Sequence, residues 1–142
     1  MEIRSFTEKD RDAVAALWKT AFPDDPPHNE PYKMIEAKLK VQGELFFVAE
    51  SDSRVVGTVM AGYDGHRGWL YLVAVAPDQR RKRIGSGLVR HAVNALKEIG
   101  CAKVNLQVRA GNERAVAFFE SLGFSIEERV SMGQLLVPPF GR

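Results

Sequence analysis

Hydrophobic positions along the chain change period several times, and each change marks a boundary between elements. Residues 2–6 read as a short strand, and Thr7 with Asp10 three residues later gives a capping-box pattern for a helix start. Val14, Leu17, Trp18 and Ala21 then recur at helical spacing. Residues 23–31 hold four prolines, two Asp and one Glu, a structured loop leading into a second helix over residues 32–41. From Glu44 the period shortens. Residues 45–49 and 55–63 are rich in branched and aromatic side chains, and residues 51–54 suit a tight turn, which predicts a hairpin.

Asp64, Gly65, His66, Arg67 and Gly68 form a second turn, feeding an unbroken apolar run over residues 69–76. That run predicts a strand buried on both faces at the centre of the sheet. Pro77 ends it, a basic segment follows, and Leu88, Val89, Ala92, Val93, Leu96 and Ile99 mark one face of a long helix stopped by Gly100. Val104, Leu106 and Val108 alternate with polar residues as another strand, and Ala115, Phe118, Phe119 and Leu122 define a short helix closed by Gly123. Strands near residues 125–130 and 134–137 are expected to finish the sheet. This order of elements predicts a mixed α/β fold of the α+β type.

The 142-residue length suits one domain spanning residues 1–142, since a chain of this size buries roughly 70% of its unfolded surface. A composition of 45% hydrophobic and 27% charged residues argues against disorder. The net charge of +2 is too small to attract a polyanion, so anion binding has to come from local clustering. Cys101 is the lone cysteine, and His28, His66 and His91 are too scattered for a zinc site, so no metal is expected. The charged first ten residues lack the apolar stretch of a signal peptide, and no apolar run approaches membrane-spanning length. A cytoplasmic protein with no membrane partner is the expectation.

The chemistry concentrates where the apolar strand meets the long helix, through Arg80, Arg81, Lys82, Arg83, Ile84, Gly85, Ser86 and Gly87. The first N–H groups of a helix have no internal partner and carry the positive end of its dipole, so a pyrophosphate suits the corner. Gly85 and Gly87 allow close approach, and the four cations add charge. A P-loop would need Gly-Lys followed by Ser or Thr, and a dinucleotide fingerprint would need a third glycine where Arg90 stands. A solvated basic loop is the plain alternative.

This segment resembles the signature of the GNAT family of N-acetyltransferases: Gln or Arg, two residues, Gly, one residue, then Gly or Ala. Arg80 and Gly85 fit it, while Arg83 stands in place of the first glycine. Asn112 followed by Ala115, Phe118, Phe119, Glu120, Ser121, Leu122, Gly123 and Phe124 is similar to the family's second segment, Asn-x-x-Ala-x-x-x-Tyr-Glu-x-Leu-Gly-Phe. The hairpin over residues 62–68 is similar to that of a bacterial subgroup of uncharacterised acetyltransferases. The resemblance implies a three-layer fold with a central mixed, mostly antiparallel, six- to seven-stranded sheet and about four helices. It also implies transfer of an acetyl group from acetyl-CoA to an amine. By position, the resemblance puts the pyrophosphate on the main-chain N–H groups from Arg81 to Ser86 and the pantetheine arm on Val73, Ala74, Val75 and Asn112. Its oxyanion donor maps near Val73. Phe119 stands where many members carry a tyrosine that protonates the departing thiolate.

Each of these residues also has a plainer reading. Asn112 is a natural helix cap, Phe119 a packing residue, and Cys101 a small buried hydrophobe. If Arg83 adopts a left-handed backbone, its Cβ costs roughly 1–2 kcal/mol, which its guanidinium can offset by contacting phosphate oxygens. Candidates for the base that deprotonates the acceptor are Tyr71, which strict alternation puts on the same face as Val73, and His66 in the turn. Sheet core and an exposed turn are their alternatives. Asp24, Asp25, Glu30 and Asp64 are acidic positions that can attract a cation. The competing function is a catalytically silent acyl-CoA binder, a sensor or accessory protein. Nucleic-acid binding is not expected, because no aromatic residues accompany the basic run. The expected form is a monomer or homodimer.

Overall fold

Five strands, Glu2–Ser5 (β1), Phe46–Ser51 (β2), Arg54–Tyr63 (β3), Gly68–Val75 (β4) and Val104–Asn105 (β5), pair in chain order into one sheet. The computed structural model describes residues 1–137, which fall into two units, Met1–Leu106 and a second beginning at Gln107. The sheet belongs to the first unit. Its first four strands are antiparallel and β5 runs parallel to β4. Asp52 and Ser53, both with positive φ (50° and 61°), turn β2 into β3, the geometry of a two-residue hairpin loop.

Helices Arg11–Ala21 (α1) and Pro31–Leu39 (α2) precede the hairpin, and Ile84–Glu98 (α3) follows β4. The α1 stripe of Val14, Leu17 and Trp18 is buried with Phe6, Phe46 and Val48. There the Phe6 and Phe46 rings stack at 4.6 Å, and Trp18 lies 5.7 Å from Phe46. Successive residues of a strand face opposite sides, so Phe47 points away from this cluster and meets His91 of α3 edge-on at 4.6 Å. Ile84, Leu88, Val89, Ala92 and Leu96 bury the inner face of α3. The sheet is thus sandwiched between α1 and α2 on one side and α3 on the other. At Gly87 a Cβ would sit 3.1 Å from Ile3 Cδ1, so this bare position lets α3 lie close over β1.

The second unit contains Glu113–Ser121 (α4). Asn112 caps it, its Oδ1 accepting a 3.2 Å hydrogen bond from the Ala115 N–H. Phe119 is partly buried and packs edge-on against Phe118 at 4.9 Å and Phe124 at 5.8 Å. Among the described residues no helix is long and apolar enough to cross a membrane.

The class of fold matches expectation, with differences in detail. The sheet has five strands among the described residues rather than six or seven. Residues 125–130 and 134–137 form no strand, and Ile126, Val130 and Leu136 there are 76%, 88% and 88% exposed. Branched side chains favour a strand chiefly when one face is buried, and these have no such face. β5 is confined to two residues instead of spanning residues 104–108. The apolar run over residues 69–76 is neither central nor covered on both faces: β3 holds the centre, and Tyr71 in β4 is 50% exposed. An apolar run is equally compatible with a strand that lines a cleft.

The N-terminal strand is held by ions. Arg4 of β1 donates to both oxygens of the buried Asp10, at 2.8 and 2.9 Å, and to Glu50 of β2 at 2.7 Å. Asp10 also accepts from the Thr7 N–H at 2.8 Å. Burial pushes the Asp10 carboxyl up, but the hydrogen bonds from Arg4 and Thr7 more than reverse this, leaving it below the usual carboxylate range. A carboxyl more acidic in the folded state stabilises the fold above its unfolded pKa of about 3.9, and that contribution disappears as pH falls through the folded value. Thermal unfolding followed from pH 6 to pH 2 is expected to show a steeper loss of stability below about pH 4 in the wild type than in Asp10→Asn.

Candidate active site

β4 is bent at one point. Thr58 pairs with Ala74 and Met60 with Tyr71, so Leu72 and Val73 together stand opposite Val59. This is a β-bulge, which takes main-chain groups out of the regular ladder and re-aims the side chains beyond it. Leu72 has φ of 53°, a left-handed conformation that costs a residue with a Cβ roughly 1–2 kcal/mol. Something must hold it. The Thr58 hydroxyl, wholly buried, donates to the Leu72 carbonyl at 2.9 Å and accepts from the Trp18 indole N–H at 2.9 Å. A donor and an acceptor buried in the core satisfy each other through one hydroxyl, and the bulge is fixed to α1.

The bulge overturns one expectation. Residues directly opposite across a ladder share a face, so Tyr71 goes with Met60 and Ala74 with Thr58, both on the α1 side. Val75 pairs with Gly57, whose bare Cα meets Leu88 and Ile84 of α3. Alternation beyond the bulge puts Val73 on that second face with Val75, away from Tyr71.

Beyond the bulge, β4 has an open edge. Its parallel ladder with β5 ends at the Trp69–Asn105 pair, so Val73, Ala74 and Val75 have no ladder partner on that side among the described residues. The strand leads through Pro77–Gln79 to the exposed Arg80, Arg81, Lys82 and Arg83. Arg81 and Arg83 both have positive φ, 65° and 62°. Arg83 is the N-cap of α3 and offers no capping side chain; the first main-chain bond closing the helix is Gly87 N–H to Arg83 C=O at 3.0 Å. The N–H groups of Ile84, Gly85 and Ser86 are therefore left to an external acceptor. None of the four cations forms an ion pair among the described residues, and the adjacent Asp78 does not neutralise them. Arg54 grips it at 2.8 Å through both carboxylate oxygens, pulling its pKa down to about 2. An open strand edge followed by an uncapped, positively flanked helix start fits an elongated amide-bearing ligand that ends in phosphates.

On the α2 side of the sheet lies a cleft of about 440 Å³. Its walls include Lys38, Met60, Asp64, Trp69 and Tyr71. Trp69 and Tyr71 lie nearly parallel with centroids 6.5 Å apart. Gln42 closes one end by imitating a strand, its amide donating to Tyr63 C=O at 2.9 Å and accepting from Tyr63 N–H at 2.8 Å. Lys38 Nζ donates to the Ala61 carbonyl just beyond the end of β2. Asp64 Oδ1 accepts from the His66 and Arg67 N–H groups at 2.8 and 2.7 Å, and these bonds hold its carboxyl below the usual range.

The sequence candidates divide between these regions. Val73, Ala74, Val75 and residues Arg80 through Gly87 follow one another along the open edge and corner. Tyr71 lines the cleft, whereas His66 is exposed in the hairpin turn and is not among the cleft residues. Burial, reinforced by Asp64, pushes the Tyr71 phenol up, so it holds its proton and suits donation better than abstraction. Asn112 and Phe119 lie in the second unit, where they serve as cap and packing residue. Sequence reasoning missed Lys38, Thr58 and Trp18. A lysine three residues after Ile35 on the inward stripe of α2 is a legible signal for the first; Thr58, one polar residue in a branched run, carries none.

A model of the Acetyltransferase (GNAT) family matches residues 11–124. An acetyltransferase of Pectobacterium atrosepticum is 38% identical over 139 residues, covering 96% of either chain. Among solved structures, the ribosomal-protein-S18-alanine N-acetyltransferase of Escherichia coli superposes with a TM-score of 0.71 at 27% identity, over 87% of this chain and 77% of that one. The aminoglycoside N-acetyltransferase AAC(6')-Iy, in complex with CoA, gives a TM-score of 0.79 at 19% identity, over 96% and 95%.

Two substitutions test this geometry. Thr58→Val leaves the Trp18 N–H and the Leu72 carbonyl without their partner in the core, and is expected to lower stability by about 2–4 kcal/mol in urea unfolding, with Thr58→Ser recovering most of it. Arg83→Gly removes a Cβ from a left-handed position, a gain reduced by the greater freedom of glycine in the unfolded chain. Its unfolding free energy is expected to rise by up to about 1 kcal/mol.

Proposed function

The chain belongs to the GNAT acetyltransferase family, and from that premise we propose that residues 1–142 form a single N-acetyltransferase domain using acetyl-CoA as co-substrate. In this reading a primary amine of a small molecule or a protein attacks the thioester directly while both substrates are bound. The observation that carries it is the continuity of the pinned bulge, the open β4 edge and the uncapped α3 N-terminus along one stretch of chain. The match over residues 11–124 crosses from the first unit into the second, which supports one domain. A cytoplasmic monomer or homodimer is the form this reading assigns.

Acetyl-CoA supplies an activated acyl carbon: the amine nitrogen bonds to it as the C–S bond breaks, sulfur leaves as thiolate and takes up a proton, and the amine loses one. The N–H groups of Ile84, Gly85 and Ser86, with Arg80, Arg81, Lys82 and Arg83 around them, receive the pyrophosphate. Val73, Ala74 and Val75 offer main-chain groups to the pantetheine amides. Asn112 and Phe119 complete the cofactor-contacting set, Asn112 through the free N–H₂ end of its capping amide.

Near Val73 a main-chain N–H released by the bulge meets the developing oxyanion, a donor of a kind typically worth about 3 kcal/mol. Thr58 and Trp18 matter to the reaction only through this N–H, whose direction they set. Tyr71 is assigned a proton-donating part at the cleft. His66 is assigned the removal of the amine proton, directly or through water. No phenol is required at Phe119, because a thiol of reference pKa about 8.5 is already a fair leaving group near neutrality.

Calorimetry with acetyl-CoA, followed by thiol release with a panel of amines and peptides, tests the reading. Saturable binding that weakens with added salt, and acetylated product from at least one amine, are expected. No heat and no competition by coenzyme A would remove the proposal.

A further inference from the structure

Lys38 is a buried cation of the cleft that the reaction just described does not use. It is 8% exposed, and its ammonium carries three donors, of which one goes to the Ala61 carbonyl. Among the described residues no carboxylate is bonded to it. Burial lowers its pKa, opposed only through space by Glu44. A cation nine-tenths buried without a bonded counter-ion is costly to keep charged, and it faces a cavity with donors to spare.

The rest of the lining sets the shape of what would answer it. Met60, Trp69 and Tyr71 give an apolar, partly aromatic wall, and Asp64 is the single carboxylate among the cleft residues. One of its oxygens already receives two main-chain N–H groups. A polyamine would need several carboxylates here and finds one. A buried cation with spare donors beside an apolar, partly aromatic wall is complementary to a carboxylate carried next to an apolar group.

On the reading that this chain is an amine acetyltransferase, we propose that its acceptor is an amino-acid-like molecule bearing an apolar or aromatic side chain, and that Lys38 receives its carboxylate. The side chain lies against Trp69 and Tyr71, and the amine points along β4 toward the bulge, where the thioester is attacked. Lys38 is then the specificity-determining residue: an acceptor lacking the carboxylate leaves the buried ammonium uncompensated, a mismatch that discriminates strongly.

The test compares phenylalanine, leucine and methionine with the amines obtained by removing their carboxylates, and with spermidine. Thiol release with acetyl-CoA gives kcat/KM, and calorimetry in saturating coenzyme A gives binding without turnover. At least one carboxylated amine is expected to exceed its decarboxylated counterpart and spermidine by about tenfold or more in kcat/KM. That ratio is expected to collapse toward one in Lys38→Met and to persist in Lys38→Arg. Equal rates, preference for any carboxylate-free amine, or an unchanged ratio in Lys38→Met overturns the proposal. Should Lys38→Met not fold, the wild-type ratio decides alone. Should acetyl-CoA bind and neither these amines nor the panel of amines and peptides turn over, the acetyl-transfer reading fails, and the binding of carboxylated against decarboxylated amines still decides the role of Lys38.

Discussion

A single buried hydroxyl sets the geometry on which everything else depends. Thr58 takes the indole N–H of Trp18 and gives its own proton to Leu72, so helix α1, the central strand and the bulge in β4 are joined by two hydrogen bonds inside an otherwise apolar core. Without that link the left-handed Leu72 would be free to relax into a regular ladder. Polar groups in a core are expensive unless fully paired, and here one hydroxyl pairs both.

The bulge divides β4 into two functional halves. Before it, Trp69 and Tyr71 line the cleft on the α2 side. After it, Val73, Ala74 and Val75 run along an edge that β5 does not cover, toward the N-terminus of α3. On the proposed reading, an acyl donor on the open edge and an acceptor in the cleft would meet at the bend. Rigid elements supply the positions, and proximity of this kind accounts for much of the rate of a two-substrate transfer.

Electrostatics follow the same division. The corner before α3 gathers Arg80, Arg81, Lys82 and Arg83 without internal ion pairs among the described residues, because the nearest acid, Asp78, is held by Arg54. In the cleft the charges are few and of opposite sign: a buried Lys38 and an exposed Asp64. On the proposed reading, the first region receives a multiply charged anion and the second a single carboxylate.

Much of this was written in the chain itself. Helical periodicity located α1 and α3, the Pro-rich loop pointed to α2, the turn residues located both hairpins, and the glycine-bearing basic segment together with the Asn112 to Phe124 pattern identified the family, because these features are local and depend on residue type and spacing. The bulge was invisible: the apolar run continues unbroken through Leu72, and only the register against β3 shows that two residues oppose one. For the same reason Tyr71 and Val73 were expected on one face and lie on two. The burial of Lys38 likewise arises from where β3 passes, through a bond to Ala61 that links residues far apart in the chain. The strands expected over residues 125–130 and 134–137 failed on the same ground. Propensity is local, but a strand needs a partner and a face to bury, and only the folded chain determines whether it has them.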